Sequence, residues 1–125
     1  YECEGNKWEL CAIAHYPKTS DHFPFIDCME HAADKMLREV KQCATTAKMD
    51  YDALNTCYSG QEGKDLVLKA AKATGAHQYV PWVLVDGELV DNTNALLKSI
   101  CDAYTGPAPA SCKRLMGANQ DRCYK

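Results

Sequence analysis

Apolar residues recur every three or four positions through most of the first 75 residues, and this spacing predicts a series of amphipathic helices. The first helix is predicted from about Asn6 to His15, and Pro17 ends it. Its apolar face is formed by Trp8, Cys11, Ala12 and Tyr16. The pattern therefore predicts a chain that is mostly helical.

A longer apolar series follows a polar connection. Asp21 or Ser20 is placed to cap this segment, and Pro24 lies near its first turn. The series extends to about Cys43, either as one helix or as two with a break near Asp34. Its core-facing positions are Phe25, Ile26, Met29, Ala32, Ala33, Met36, Leu37 and Val40. At helical spacing, the methionines are interpreted as core residues and not as an adaptable binding surface.

Two shorter helices are predicted next. One begins at a cap at Asp50 and ends near Gly60. The spacing of Ser59 and Glu62 is that of a capping box, which predicts a second helix that continues to Gly75. Its buried face is formed by Leu66, Val67, Ala70, Ala71 and Ala73.

The periodicity changes at Tyr79, where the chain shows the signals of a β-hairpin. Strand-forming residues 83–85 and 88–90 flank Asp86-Gly87, a pair suited to a two-residue turn. Pro81 stands at the entrance to the first strand, where its missing N–H costs least. Taken alone, this proline is expected to be trans, because only about 5 to 6% of X-Pro bonds in folded proteins are cis.

A last amphipathic segment follows the hairpin. Asp91 is a candidate N-cap, and Gly106-Pro107 ends the helix. Its apolar positions are Leu96, Leu97, Ile100, Ala103 and Tyr104. Residues 107–125 form a tail with little periodicity, which disulfides would have to hold in place.

Length and charge narrow the classes of function. A chain of 125 residues suits a single domain. The net charge is −3, with acidic and basic residues interspersed, so there is no basic stripe to bind nucleic acid. No apolar run approaches the length of a membrane span, and we expect no membrane partner.

Eight cysteines in so short a chain indicate an oxidising compartment, as for exported proteins. The chain contains no C-x-x-C, so neither structural zinc nor a dithiol within the chain is expected. Because no signal-peptide pattern opens the sequence, Tyr1 is interpreted as a processed or trimmed end.

The histidines show no metal-binding spacing, and we predict no metal site and no cofactor. His77 lies four residues before Pro81, where an imidazole could titrate near a substrate or support the loop. A structural role for His77 is favoured. Trp82 is interpreted as a core residue, although an aromatic ring there could border a peptide groove.

The order of proline, strand, tight turn, strand and helix resembles the C-terminal half of a thioredoxin fold. In that fold the loop proline is cis and faces the redox-active cysteines. The resemblance therefore implies a cis bond before Pro81. The implied class is α/β, with a β-hairpin and helix that carry a disulfide-bonded helical insertion.

Several motifs resemble the gamma-interferon-inducible lysosomal thiol reductase (GILT) family. Glu2-Cys3-x-x-Asn6-x-x-x-x-Cys11 matches the second part of the family signature, whose first part is Cys-Gln-His-Gly. His22-Phe23-Pro24-Phe25-Ile26-x-Cys28-x-Glu30 looks like plant members especially. Collinear matches are Tyr79-Val80-Pro81-Trp82-Val83-x-Val85-x-Gly87, Ile100-Cys101-x-Ala103-Tyr104-x-Gly106 and Cys112. The resemblance covers roughly residues 1–113.

This resemblance implies a thioredoxin-like enzyme that reduces protein disulfides in an acidic compartment with a C-x-x-C dithiol. That dithiol would precede Tyr1, so no catalytic residue is assigned here. The implied regions are a helical insertion at 1–76, the proline loop, hairpin and last helix at 77–106, and a tethered tail at 107–125. Val80, Pro81, Trp82 and His77 are the expected substrate-binding residues, and the expected partners are disulfide-bonded proteins or peptides.

We expect the cysteines of this chain to be structural. The proposed bridges are Cys28–Cys43, which would close a helical hairpin, Cys11–Cys57, and Cys101–Cys112. Cys3 and Cys123 would pair with each other, or Cys3 would join a cysteine on an upstream segment. Cys3 and Cys11 lie about two turns apart on one helix, too far to bond directly.

Two hypotheses of different classes follow. The first is a GILT-like thiol–disulfide oxidoreductase chain that lacks its dithiol, is inactive alone and acts with an N-terminal chain of the same precursor. The second is a non-catalytic, disulfide-rich secreted or vacuolar protein for binding, defence or storage. Intact mass with and without reduction separates them, since only the first releases a partner chain.

Overall fold

The computed structural model describes the backbone of residues 2–120 and the side chains of residues 2–115. This part of the chain is mostly helical, as predicted, and its sheet is a small antiparallel pair of strands. The α-helices are α1 (Glu2–His15), α2 (Thr19–Ala32), α3 (Met36–Thr46), α4 (Tyr51–Ser59), α5 (Gln61–Ala73), α6 (Leu96–Ala103) and α7 (Ala110–Gln120). The strands are β1 (Leu84–Val85) and β2 (Glu88–Leu89).

The chain divides into two compact units, Tyr1–Gly75 and Ala76–Lys125. The first unit contains α1 to α5, and the second contains the hairpin, α6 and α7.

Helix α1 is the central element of the first unit and packs against α2, α3, α4 and α5. Trp8 lies in the core, where its ring stacks with Tyr58 at 4.2 Å and with Tyr51 at 5.9 Å between ring centroids. Met29 and Met36 are buried, which confirms that they are core residues. The other buried side chains of this core are Cys11, Ala12, Phe25, Val40, Cys43, Ala44, Met49, Leu54 and Cys57.

The second helical segment is broken, which decides between the two alternatives that the sequence left open. A 3₁₀ turn at Ala33–Lys35 separates α2 from α3, and Ala33 has a φ of 48°. The expected caps at Asp21 or Ser20 were wrong. The helix begins earlier, because Lys18 has extended backbone and its carbonyl already accepts the N–H groups of residues 21 and 22.

Of the other predicted caps, only Asp50 is confirmed, with its side chain accepting the N–H groups of Asp52 and Ala53. Ser59 does not form a capping box, because its hydroxyl donates to the Asn55 carbonyl inside α4. Gly60 therefore occupies the N-cap position of α5 without a side-chain hydrogen bond. Asn92, and not Asp91, caps the 3₁₀ turn (Thr93–Ala95) that leads into α6.

The hairpin has the predicted two-residue turn, in which Asp86 and Gly87 have positive φ values of 49° and 87°. Its register pairs Leu84 with Leu89 and Val85 with Glu88. The tail differs from expectation, because α7 begins at Ala110 despite weak periodicity. A bridge from Cys112 to α6 ties the start of this helix to the rest of its unit.

All three proposed bridges are confirmed. Cys11–Cys57 joins α1 to α4, Cys28–Cys43 joins α2 to α3, and Cys101–Cys112 joins α6 to α7. Within the described residues, Cys3 is exposed and unbridged. Cys123 lies outside the described residues, so the proposed Cys3–Cys123 pairing remains a prediction.

Candidate functional site

The proline loop comprises residues 77–82 and leads into β1. The Val80–Pro81 bond is cis, as the resemblance implied. Val80 is 80% exposed, and Tyr79 contacts the ring of Trp82 edge to face at 5.0 Å between centroids. Trp82 is partly buried, so it is less enclosed than a full core residue. The loop thus presents backbone and apolar side chains at an open surface.

The hairpin and α6 position this loop. The Val90 N–H donates to the Val83 carbonyl at 2.9 Å and extends the pairing of the two short strands. Val90 is buried, and α6 packs against β1. The loop is therefore attached to a turn, a strand pair and a helix, whose geometry is set by local hydrogen bonds.

Several large apolar side chains of this second unit are exposed. Leu84 and Leu89 are cross-strand partners, and they are 52% and 38% exposed. On α6 and directly after it, Leu97, Ile100 and Tyr104 are each about half exposed. Exposed apolar surface of this kind is a feature of binding and packing sites.

In the first unit, Cys3 lies beside an open cavity between α1 and α5, which is also lined by Leu10, Val67 and Ala70. A neighbouring apolar cavity continues along the same two helices past Ile13. The described residues bring no second thiol to Cys3, because the other described cysteines are bridged.

A carboxylate site that sequence reasoning missed lies between α1 and α2. The Glu9 Oε1 atom is buried and has no hydrogen-bond partner among the described side chains. Burial, and after it the neighbouring Glu30 carboxylate, raise the pKa of Glu9 to about 7. Glu9 is therefore largely protonated in an acidic compartment and increasingly ionised above pH 7.

A second polar cluster surrounds the exposed edge of the aromatic stack. The Tyr58 hydroxyl donates a hydrogen bond to the Glu4 carboxylate, and this bond lowers the pKa of Glu4 and raises the pKa of Tyr58. Lys7 lies 3.6 Å from the same carboxylate and 4.2 Å from the centre of the Tyr58 ring. These contacts hold the first turn of α1 against α4.

A third cluster joins three elements around the Cys11–Cys57 bridge. His15 Nε2 lies 3.1 Å from Glu62 Oε1, and ligand atoms of His15, Glu62 and Cys57 all lie within 4.8 Å of one another. The spacing of Cys11 and His15, one helical turn apart, was visible in the sequence. Glu62, which comes from α5, was singled out in the sequence only for the expected capping box and not as a partner of His15.

Comparison with known proteins gives one family match. The family model described as gamma interferon inducible lysosomal thiol reductase (GILT) matches residues 1–47. A goldfish (Carassius auratus) gamma-interferon-inducible lysosomal thiol reductase is 37% identical and aligns with 89% of this chain. An Arabidopsis thaliana gamma-interferon-responsive lysosomal thiol protein is 29% identical over 99% of it, and a mouse (Mus musculus) relative is 30% identical over 99%.

The matches cover only part of each relative. The aligned region is 47% of the goldfish protein, 56% of the Arabidopsis protein and 52% of the mouse protein. The chain therefore spans about half the length of these relatives. No helix among residues 2–120 combines the length and apolar character needed to cross a bilayer.

Proposed function

Because this chain is a relative of the gamma-interferon-inducible lysosomal thiol reductase family, we propose that it provides the substrate-binding loop of a thiol–disulfide oxidoreductase. The exposed loop at Val80-Pro81, attached to a hairpin and helix, is the observation that carries this proposal. It has the sequence that resembles the family's proline loop. The proposed substrates are disulfide-bonded proteins or peptides.

A thioredoxin-like arrangement is part of the same proposal. The two strands of the hairpin pair only with each other within residues 2–120. Such a pair can accept further strands at its free edges. In a thioredoxin-like sheet those strands would come from a segment that also carries the C-x-x-C, a motif that these 125 residues do not contain.

The proposed chemistry divides the work between this chain and that dithiol. The backbone at Val80 pairs with an extended stretch of the substrate next to its disulfide. A thiolate of the dithiol attacks one substrate sulfur, and the other sulfur leaves as a thiolate that takes up a proton. The second thiol then attacks the mixed disulfide, which releases the reduced substrate and leaves the dithiol oxidised. His77 and Trp82 border the substrate.

The lysosomal names of the relatives support a lysosomal or vacuolar location, and the three bridges are consistent with an oxidising route to it. An acidic compartment also suits Glu9, whose pKa of about 7 keeps its half-buried carboxyl neutral there.

An insulin-disulfide reduction assay tests the division of work. The isolated 125 residues are expected to give no turnover above the rate of the reductant alone, because they lack a C-x-x-C. Turnover by the isolated chain, retained in a Cys3→Ala variant, would contradict the proposal. The chain is then tested after it is joined to a family segment that carries the C-x-x-C. If the joined protein is also inactive, a non-catalytic binding or storage protein is the remaining hypothesis.

The loop itself is tested in that joined protein with a Val80→Glu variant. Because Val80 is 80% exposed, we expect little change in thermal stability but at least about a tenfold fall in kcat/KM for a disulfide peptide. Leu68→Glu is the matched control, since it introduces the same charge at another exposed apolar residue, which is 57% exposed and lies on α5. Equal activity of the two variants would show that the loop is not part of the substrate site.

A further inference from the structure

The Cys11–Cys57 bridge lies where three helices bring together side chains of types that can bind a metal. Cys11 and His15 are four residues apart on α1 and therefore share a face. Cys57 lies near the end of α4, and Glu62 lies in the first turn of α5. Ligand atoms of His15, Cys57 and Glu62 are within 4.8 Å of one another, and the Cys11 sulfur is bonded directly to the Cys57 sulfur.

Close packing of α5 against α4 produces this arrangement. A Cβ atom at Gly63 would lie 2.6 Å from the Cys57 carbonyl oxygen, so only glycine allows the start of α5 to approach so closely. Glu62 is the residue next to Gly63, and its carboxylate thereby reaches His15 at 3.1 Å.

The donor set is one that zinc uses. Zinc binds thiolate sulfur, imidazole nitrogen and carboxylate oxygen, usually with four ligands in a tetrahedron. A disulfide sulfur is not such a ligand, because the metal requires the thiolate. In the bridged chain, two of the four potential donors are therefore unavailable.

We propose that reduction of the Cys11–Cys57 bridge creates a zinc site formed by Cys11, Cys57, His15 and Glu62. A dithiol reductant transfers two electrons and two protons to the bridge and becomes a disulfide, which leaves two cysteine thiols. Binding of Zn²⁺ then displaces both thiol protons and gives two thiolate ligands. This inference does not depend on the proposed reductase function.

The environment of the cluster suits entry of a small ion and not of a protein. Cys11 and Cys57 are fully buried, whereas the side chains of His15 and Glu62 are 31% and 53% exposed. An ion would meet the imidazole and carboxylate first and reach the sulfurs behind them.

The test uses a chain in which one sulfur of the site is freed without reducing the other bridges. The Cys11→Ala change, combined with Cys3→Ala and Cys123→Ala to prevent disulfide exchange, leaves three of the four proposed ligands, with Cys57 as a thiol beside His15 and Glu62. A water molecule would take the fourth position of the metal in this variant. Titration with Co²⁺ is expected to give one equivalent of binding with thiolate-to-metal charge-transfer absorption, and Zn²⁺ should displace it. The bridged parent chain should show no such band.

Two further changes assign the ligands. His15→Ala or Glu62→Gln is expected to weaken Co²⁺ and Zn²⁺ binding at least about tenfold. His31→Ala is the matched control, because His31 is also an exposed helical histidine beside a carboxylate, that of Asp27 at 3.5 Å. Equal effects of the His15 and His31 changes, or binding without a thiolate band, would overturn the proposal.

Alkylation of the reduced full chain provides a measurement that does not depend on those variants folding. With Zn²⁺ present, Cys11 and Cys57 should react with iodoacetamide at least about tenfold more slowly than without it, as for other thiolates held by a metal. Cys28 and Cys43 serve as internal controls and should change little. Equal protection of all four cysteines would show that zinc binds the reduced thiols without a defined site, and would also overturn the proposal.

Discussion

Glu9 has a raised pKa that its neighbours in the sequence do not indicate. Its carboxyl lies between α1 and α2 next to Glu30, with one oxygen buried. Its pKa is raised from 4.5 to about 7, chiefly by burial. A group with a raised pKa in the folded state stabilises the fold fully below its unfolded pKa, and this stabilisation is lost as the pH rises through the folded pKa.

For Glu9 that window runs from about pH 4.5 to about pH 7. We therefore expect Glu9→Gln to match the parent at pH 4 and to be more stable at pH 8. The difference at pH 8 should be on the order of 1 kcal/mol, after allowance for the solvent that reaches the half-buried side chain. Urea unfolding at several pH values measures it.

Glu39→Gln provides the control, because Glu39 is an exposed glutamate on α3. Its free energy of unfolding should change equally little at both pH values. If Glu9→Gln and Glu39→Gln behaved alike from pH 4 to pH 8, the raised pKa of Glu9 would be wrong.

At the scale of elements, the N-termini of the helices show which caps can be predicted from local sequence and which cannot. Asp50 was identified correctly because it is the one strong capping residue directly before its helix, and two N–H groups bond to it. Ser59 had the spacing of a capping box, but it lies in the last turn of α4 and donates to Asn55. Where one helix follows another directly, packing decides which of them includes a residue.

This difference predicts unequal effects of two similar changes. Asp50→Ala should lower the free energy of unfolding by about 1 kcal/mol, because it leaves the Asp52 and Ala53 N–H groups without their acceptor. Ser59→Ala should change it by less than about 0.5 kcal/mol, as for an ordinary surface position. Chemical denaturation measures both free energies of unfolding. An equal or larger loss of stability for Ser59→Ala would support the capping box after all.

The same limit explains the other errors in helix boundaries. Asn92 and Asp91 are adjacent capping residues, and only the fold determines which side chain faces the open N–H groups. The tail gave little helical periodicity, yet α7 forms where Cys112 is bonded to α6. A covalent tie can support a helix whose own sequence pattern is weak, since helices depend largely on tertiary contacts.

At the scale of the molecule, two bridges within the first unit close loops of different length. Cys11–Cys57 spans 46 residues and Cys28–Cys43 spans 15. In the chain-entropy model these bridges contribute about 4 and about 3 kcal/mol by restricting the unfolded chain. We expect the Cys11→Ala, Cys57→Ala pair to lower the free energy of unfolding more than the corresponding pair at Cys28 and Cys43.

Urea unfolding of the two double variants measures this order. Cys3→Ala is the control, because Cys3 is exposed and unbridged among the described residues and should change stability by less than about 0.5 kcal/mol. A larger loss of stability for the Cys28 and Cys43 pair would mean that restriction of the unfolded chain is not the main contribution of these bridges to stability.

The sequence by itself determined the helical character of the first 75 residues, the hairpin with its Asp86-Gly87 turn, and the cap at Asp50. These features depend on periodicity and turn chemistry, which act between residues close in the chain. The residues together with the family resemblance also predicted the cis bond before Pro81 and the three bridges.

Only the tertiary structure decided which distant side chains meet. The approach of Glu9 to Glu30 and the gathering of His15, Glu62 and Cys57 depend on how α1 packs against α2, α4 and α5. Helical spacing shows which face of a helix is buried, but it does not specify the polar residue on the neighbouring helix that will lie opposite. That pairing is set by the packing of the whole core, so it could be found only once the helices were placed in space.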